Sequence, residues 1–298
     1  GAGFPEKEIK VIVPWAPGGA SDIMARKLQP IIKNQFKINI VVENAEGGNS
    51  AVGLTQVITA RNDGYTVGVA SSTILSLMSQ KQINWDIDKF TNIMLLSEDP
   101  LLLLVKKDAP WKTLKDFMAD VKSKPGEITV GNAGSRNVNH AMAILMAQSV
   151  GSKIRQVPFS GASPTMAALL GGHINAGVMK PSESIANINA GEIRALGVYR
   201  DKRLANLPDV PTFAENGYDV FKYGPISQIS FIVAPAGLKP VVRERLEKIF
   251  SEAARSEEYQ KYAATAGFVC EPITGKDLDR YIKNVRGGLQ NVFQELFK

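Results

Sequence analysis

The sequence predicts an α/β protein of two domains. Three observations carry this reading. Short apolar β-type runs alternate with helix-period segments over most of the chain. The length of 298 residues is about that of two ordinary domains. After Ala234-Pro235-Ala236-Gly237 the pattern turns almost wholly helical. Alternating β and α elements indicate largely parallel sheets covered by helices.

Strands are expected at 9–14, 38–43, 66–70, 101–106, 128–131, 156–159, 176–179, 195–199 and 229–234. Helices fill the gaps. Met24, Leu28, Ile32 and Phe36 recur at steps of four, with Pro30 expected to kink or distort that helix. A second helix is expected from Ser163 as N-cap, with Pro164 in its first turn and Gly171-Gly172 as its stop. In the last third, Val242, Leu246, Ile249 and Ala253 make one stripe. Leu278, Ile282, Val285, Leu289, Val292 and Leu296 make another, and stripes of this width cover a sheet face. No internal repeat is visible. The runs at 101–106 and 229–234 lie where the chain can pass between domains. Two such crossings predict a discontinuous first domain, 1–103 plus 227–298, and an inserted second domain, 104–226. They also predict a hinge, with the ligand held in the cleft between the domains.

Composition excludes several classes. A 44% hydrophobic content supports a substantial core, yet the uninterrupted apolar runs, such as 101–105 and 141–147, are too short to span a bilayer. The single Cys270 leaves no internal disulfide and no cysteine zinc cage, and His140 and His173 are too few for a histidine-rich centre. No metal and no cofactor is expected. The net charge of +6 comes from bases mixed with acids, so it reads as solvated faces rather than a nucleic-acid stripe. A mildly basic chain suits the capture of small acids. The opening Gly1-Ala2-Gly3-Phe4-Pro5 has no charged segment followed by an apolar one, which fits a cytosolic protein or a mature form whose export signal was removed.

The chemistry concentrates in Val11-Ile12-Val13-Pro14-Trp15-Ala16-Pro17-Gly18-Gly19-Ala20-Ser21-Asp22. A strand running through glycines into a helix start aims backbone N–H groups and the positive end of a helix dipole at one small volume, which suits a carboxylate or a phosphate. The Lys-Ser/Thr pair of a phosphate loop and the G-x-G-x-x-G of a dinucleotide fold are both missing. Trp15 is read as a wall of this site, Ser21 as part of the turn, and Asp22 as a cap or first-turn acid rather than a base. Three more polar loops follow strands: Ser71-Ser72-Thr73; Ser135-Arg136-Asn137 with His140; and Phe159-Ser160-Gly161-Ala162. Their hydroxyls suit either an oxyanion or the cap of the next helix. In open α/β sheets, ligands gather beyond the carboxyl ends of the strands, where such loops meet. No G-x-S-x-G elbow or carboxylate cluster accompanies His140, so no catalytic residue is expected and the chain reads as a binder.

The Pro14-Trp15-Ala16-Pro17-Gly18-Gly19-Ala20-Ser21-Asp22 turn, Val42-Glu43-Asn44 with Gly47-Gly48, Asp63-Gly64-Tyr65-Thr66, Lys112-Thr113-Leu114, Val157-Pro158-Phe159-Ser160-Gly161-Ala162, Leu169-Leu170-Gly171-Gly172 and Leu207-Pro208-Asp209-Val210-Pro211-Thr212 run in order from Pro14 to Thr212. Together they resemble the periplasmic substrate-binding proteins of tripartite tricarboxylate transporters, the Bug family. The resemblance implies a type II periplasmic-binding-protein fold, two α/β domains joined by a two-strand hinge that close around a small carboxylate. It assigns the grip to Ala16, Gly18, Gly19, Ser71, Ser72 and Thr73 in the first domain. In the second it assigns Ser135, His140, Ser160, Gly161 and Ala162. It also implies a periplasmic location and membrane permease subunits as partners of what is expected to be a monomer. Two departures bear on the ligand. Met179 stands where many relatives carry an aspartate, and Lys180 follows it; Arg136 stands where relatives are small. Lys180 and Arg136 are candidates for a second carboxylate, while Trp15 and Phe159 leave an aromatic acid open. A carboxylate sensor, or an enzyme on the same scaffold, are the alternative readings.

Overall fold

The computed structural model describes residues 3–298. The chain divides into two compact units. One comprises residues up to Glu98, Ile229–Thr265 and Val269–Gln290; the other comprises Asp99–Gln228, Ala266–Phe268 and Asn291–Lys298.

In the first unit the strands are β1 (Ile9–Val13), β2 (Ile40–Asn44), β3 (Thr66–Ser71), β4 (Phe90–Glu98) and, late in the chain, β10 (Ile229–Pro235). Their order in the sheet is β2-β1-β3-β10-β4. Helices α1 (Ala20–Phe36), α2 (Ala51–Thr59) and α3 (Ser72–Ser79) link these strands. The helices α8 (Pro240–Arg255), α9 (Glu257–Ala266) and α10 (Gly275–Leu296) follow β10. Met24, Leu28, Ile31 and Ile32 form the buried stripe of α1, which runs unbroken through Pro30. Val242, Leu246, Ile249 and Ala253 are buried on α8, and Leu278, Ile282, Val285, Leu289 and Val292 on α10.

In the second unit, β5 (Leu102–Lys106), β6 (Thr129–Ala133), β7 (Arg155–Phe159), β8 (Ala176–Met179) and β9 (Ile193–Val198) lie in the order β7-β6-β8-β5-β9. Its helices are α4 (Leu114–Ser123), α5 (Val138–Gln148), α6 (Ala162–Leu170) and α7 (Pro181–Asn189). Leu102, Leu103, Leu104, Phe117, Val130, Met146, Leu169 and Phe213 are sealed in its core.

Three sequence expectations change. The sheets are mixed rather than largely parallel: among the described residues each has two parallel and two antiparallel pairings. In each, one inserted strand, β10 or β5, runs against both neighbours. Strands buried on both faces read as the same apolar run whichever way they point, so direction was invisible. Strand β4 was absent from the expected strands, although Ile93 to Leu96 form a buried apolar run like that of β5. Helix α6 begins at Ala162 with Gly161 as its cap, which moves Ser163 and Pro164 into the first turn. The chain passes between units at Glu98–Asp99 and Gln228–Ile229, and again around Ala266–Phe268 and at Gln290–Asn291. The Asp99 N–H donates to the Gln228 carbonyl at 2.8 Å. Residues 291–298 group with the second unit, where the Arg136 guanidinium donates to the Phe297 carbonyl.

Candidate functional site

In the first unit, β1 lies parallel to β2 and β3, with Val13 paired to Asn44. The 14–19 turn, Asn44 and the Ser71-Ser72-Thr73 corner therefore share the carboxyl edge of one sheet. The turn is built from below. Gly53 of α2 packs so closely that an added Cβ would come within 2.7 Å of both the Ala45 carbonyl and the Pro14 side chain. Asp22, 3% exposed, accepts from the Gly18 N–H (2.9 Å), the Asn44 amide (3.0 Å) and the Arg26 guanidinium (3.0 Å). The Asn44 amide also donates to the Trp15 carbonyl at 3.1 Å. Burial alone would raise the Asp22 pKa, but those three donors together hold it below the ordinary carboxylate value. Asp22 is thus a bracket that shapes the turn.

What the bracket leaves exposed is informative. Ala16, Gly18 and Gly19 lie at the surface, with Trp15 half-buried beside them. Gly18 has φ +90°, which favours glycine, and Gly19 caps α1 without any side-chain acceptor. The N–H groups of Ala20 and Ser21 at the start of α1 therefore have no acceptor among the described residues. The second corner is more self-contained. The Ser71 hydroxyl accepts from the Thr73 N–H at 3.3 Å, capping α3. The buried Ser72 hydroxyl accepts from the Ile229 N–H at 2.8 Å, anchoring the start of β10. Thr73 is half-buried at the first turn of α3.

In the second unit, β6, β7 and β8 run parallel, so the loops after Ala133, Phe159 and Met179 gather at one edge. Asn137 caps α5, its side chain accepting from the His140 N–H (3.1 Å) and donating to the Ala133 carbonyl (2.9 Å). The Arg136 N–H donates to His140 Nδ1 at 3.0 Å. Burial, then the Arg136 charge, push the His140 imidazole below its ordinary pKa. Its ring lies 4.9 Å from that of Phe297, over which the Arg136 guanidinium also sits. His140 and Arg136 thus organise the loop and the end of the chain, with exposed Ser135 outside them. Phe159 packs toward the β6 backbone, where its ring would come within 2.9 Å of a Cβ on Gly131. Ser160 is exposed, and Gly161 caps α6 with no side-chain acceptor. The N–H groups of Ala162 and Ser163 are consequently left without an acceptor among the described residues.

A recess of about 210 Å³ opens beside these loops. Of the residues expected to bind ligand, Asn137, Ala162, Met179 and Lys180 line it, together with Ala133, Asn139, Thr165, Val178, Glu183 and Gln228. Asn139 sat two residues beyond a nominated loop residue, a signal that was present. Gln228 reaches the recess only because the chain re-enters there, which no local pattern encodes. Among the described residues no group of three or more His, Cys, Asp or Glu side chains could hold a metal ion, and no helix is long and apolar enough to cross a membrane.

A family model described as tripartite tricarboxylate transporter family receptor matches residues 24–296. The protein BugT of Bordetella pertussis is 28% identical over 269 residues, covering 89% of this chain and 81% of its own. The crystal structure of a TctC solute binding protein from Polaromonas, without ligand, superposes with a TM-score of 0.89 at 25% identity, covering 98% of this chain and all of that one. The MatC protein of Rhodopseudomonas palustris, solved with bound malate, superposes with a TM-score of 0.66 at 26% identity over 98% of each chain. An α/β fold with two mixed sheets, and a match across nearly the whole length, agree: this chain belongs to the tripartite tricarboxylate transporter receptor family.

Proposed function

We propose that the protein captures a small organic acid in the periplasm and delivers it unchanged to the permease subunits of a tripartite transporter. One observation carries the reading. Each unit ends a sheet edge with a glycine-capped helix, α1 and α6, whose first N–H groups have no internal acceptor. Helix starts of this kind favour an anion by both hydrogen bonding and dipole. Malate in the MatC structure, a relative at 26% identity, supports a carboxylate as that anion. Ser71, Asn137 and Asp22 then shape the loops that present these groups, rather than touching the acid themselves.

The test is a thermal-shift panel of mono-, di-, tri- and aromatic carboxylates, followed by calorimetry on the acid that raises the melting temperature most. Stoichiometric binding with the acid recovered unchanged is expected. A panel in which no acid shifts the melting temperature, or an acid returned chemically altered, overturns the reading. Uptake of the labelled acid into vesicles carrying the permease subunits, dependent on added receptor, tests delivery.

A further inference from the structure

Resting on the carboxylate reading above, we propose that the recess at Lys180 holds the second acidic group of a dicarboxylate, with the Lys180 ammonium as its counter-ion. Ligand pockets commonly span about 300–1,000 Å³. At about 210 Å³ the recess is sized for one end of a ligand.

Its polar walls are nearly all occupied. The Asn139 amide donates to the Val178 carbonyl at 3.0 Å, and its oxygen accepts from the Gln228 amide at 2.9 Å. The Asn137 side chain caps α5 and holds the Ala133 carbonyl. The Thr165 hydroxyl donates to the Gly161 carbonyl at 2.8 Å. These bonds hold the neutral part of the lining in place and leave its charge to Lys180 and Glu183.

The charged donor on its wall is the Lys180 ammonium, which makes no ion pair among the described residues. The Lys180 backbone is fixed on both sides, its N–H donating to Glu183 at 3.0 Å and its carbonyl accepting from the Ser184 hydroxyl at 2.8 Å. The stem therefore leaves α7 from a fixed point. Glu183 also borders the recess, but its carboxylate is exposed and serves the start of α7, where the helix dipole offsets its charge. The lysine offers an anion charge-assisted hydrogen bonds, and an ammonium on the ligand would meet its like charge.

The test compares linear four- to six-carbon diacids with monoacids of equal length by calorimetry, on the wild type, Lys180→Met and Lys180→Arg. The wild type is expected to favour the best diacid by at least about tenfold over its matched monoacid. Lys180→Met should weaken that diacid by about ten- to hundredfold and the monoacid by less than about threefold, while Lys180→Arg retains most of the preference. Equal loss for both acids in Lys180→Met overturns the proposal, as does a wild type that binds the matched amino acid or ω-amino acid more tightly than the diacid. If the wild type binds monoacid and diacid equally, the second-group assignment fails while the carboxylate reading stands. If it binds no acid of any kind, both fail.

Discussion

Replacing Gly19 with valine separates the binding role of the opening turn from its structural role. Gly19 has φ −77° and ψ 174°, a conformation open to valine, and a Cβ built there meets nothing closer than the Ala16 carbonyl at 3.8 Å. The fold therefore accepts the side chain. Valine is a poorer N-cap than glycine by about 1 kcal/mol, which lowers the melting temperature by roughly 2–4 °C. Binding is another matter. The added side chain would crowd the exposed turn at the α1 start, whose Ala20 and Ser21 N–H groups are each worth about 1.5–3 kcal/mol to a carboxylate. Losing both removes roughly 3–6 kcal/mol, or about 10²–10⁴ in affinity. Calorimetry with the strongest acid from the thermal-shift panel reads the loss, and circular dichroism confirms the fold. A folded variant whose affinity stays within about threefold of the wild type would show that the α1 start is not part of the site.

Ser72→Ala tests the opposite assignment: with its hydroxyl bound to the Ile229 N–H, the change should cost about 1–3 kcal/mol in urea unfolding and leave affinity within about threefold. A large affinity loss with unchanged stability would move Ser72 into the binding set. Thr113 caps α4 through the Asp116 N–H at 3.2 Å, so Thr113→Ala should lower stability by about 1 kcal/mol without altering acid binding. For pH, the Arg286 guanidinium grips Asp86 at 2.5 and 2.8 Å and, against burial, holds its carboxyl below the ordinary value near 3.8. A carboxylate with a depressed folded pKa stabilises above its unfolded pKa and loses that contribution as pH falls through the folded one. The stability gap between wild type and Asp86→Asn should thus be full at pH 6 and narrow below about pH 4, and a gap unchanged at pH 3 in urea melts would remove Asp86 from the acid response.

Much of this protein was legible in its residues. Short apolar runs between helix-period segments located nine of the ten strands among the described residues, because a buried strand is short and apolar and a covering helix repeats at 3.6 residues. The strand-to-helix loops stood out because glycine, serine and asparagine there have local uses that composition reveals. Long-range relations were not legible. No repeat shows in the sequence, yet β2-β1-β3-β10-β4 and β7-β6-β8-β5-β9 place an inserted antiparallel strand at the same position of each sheet. Which helix starts remain open was likewise decided in three dimensions. Ser71 and Asn137 find their partners within four residues, whereas only the fold supplied Ile229 to Ser72 and Asn44 to Asp22. Arg136, equally plausible on paper beside Lys180, is drawn to Phe297, some 160 residues away in the chain. A side chain's chemistry is local and readable. Whether that chemistry is already spent depends on partners that only tertiary packing brings within hydrogen-bond reach.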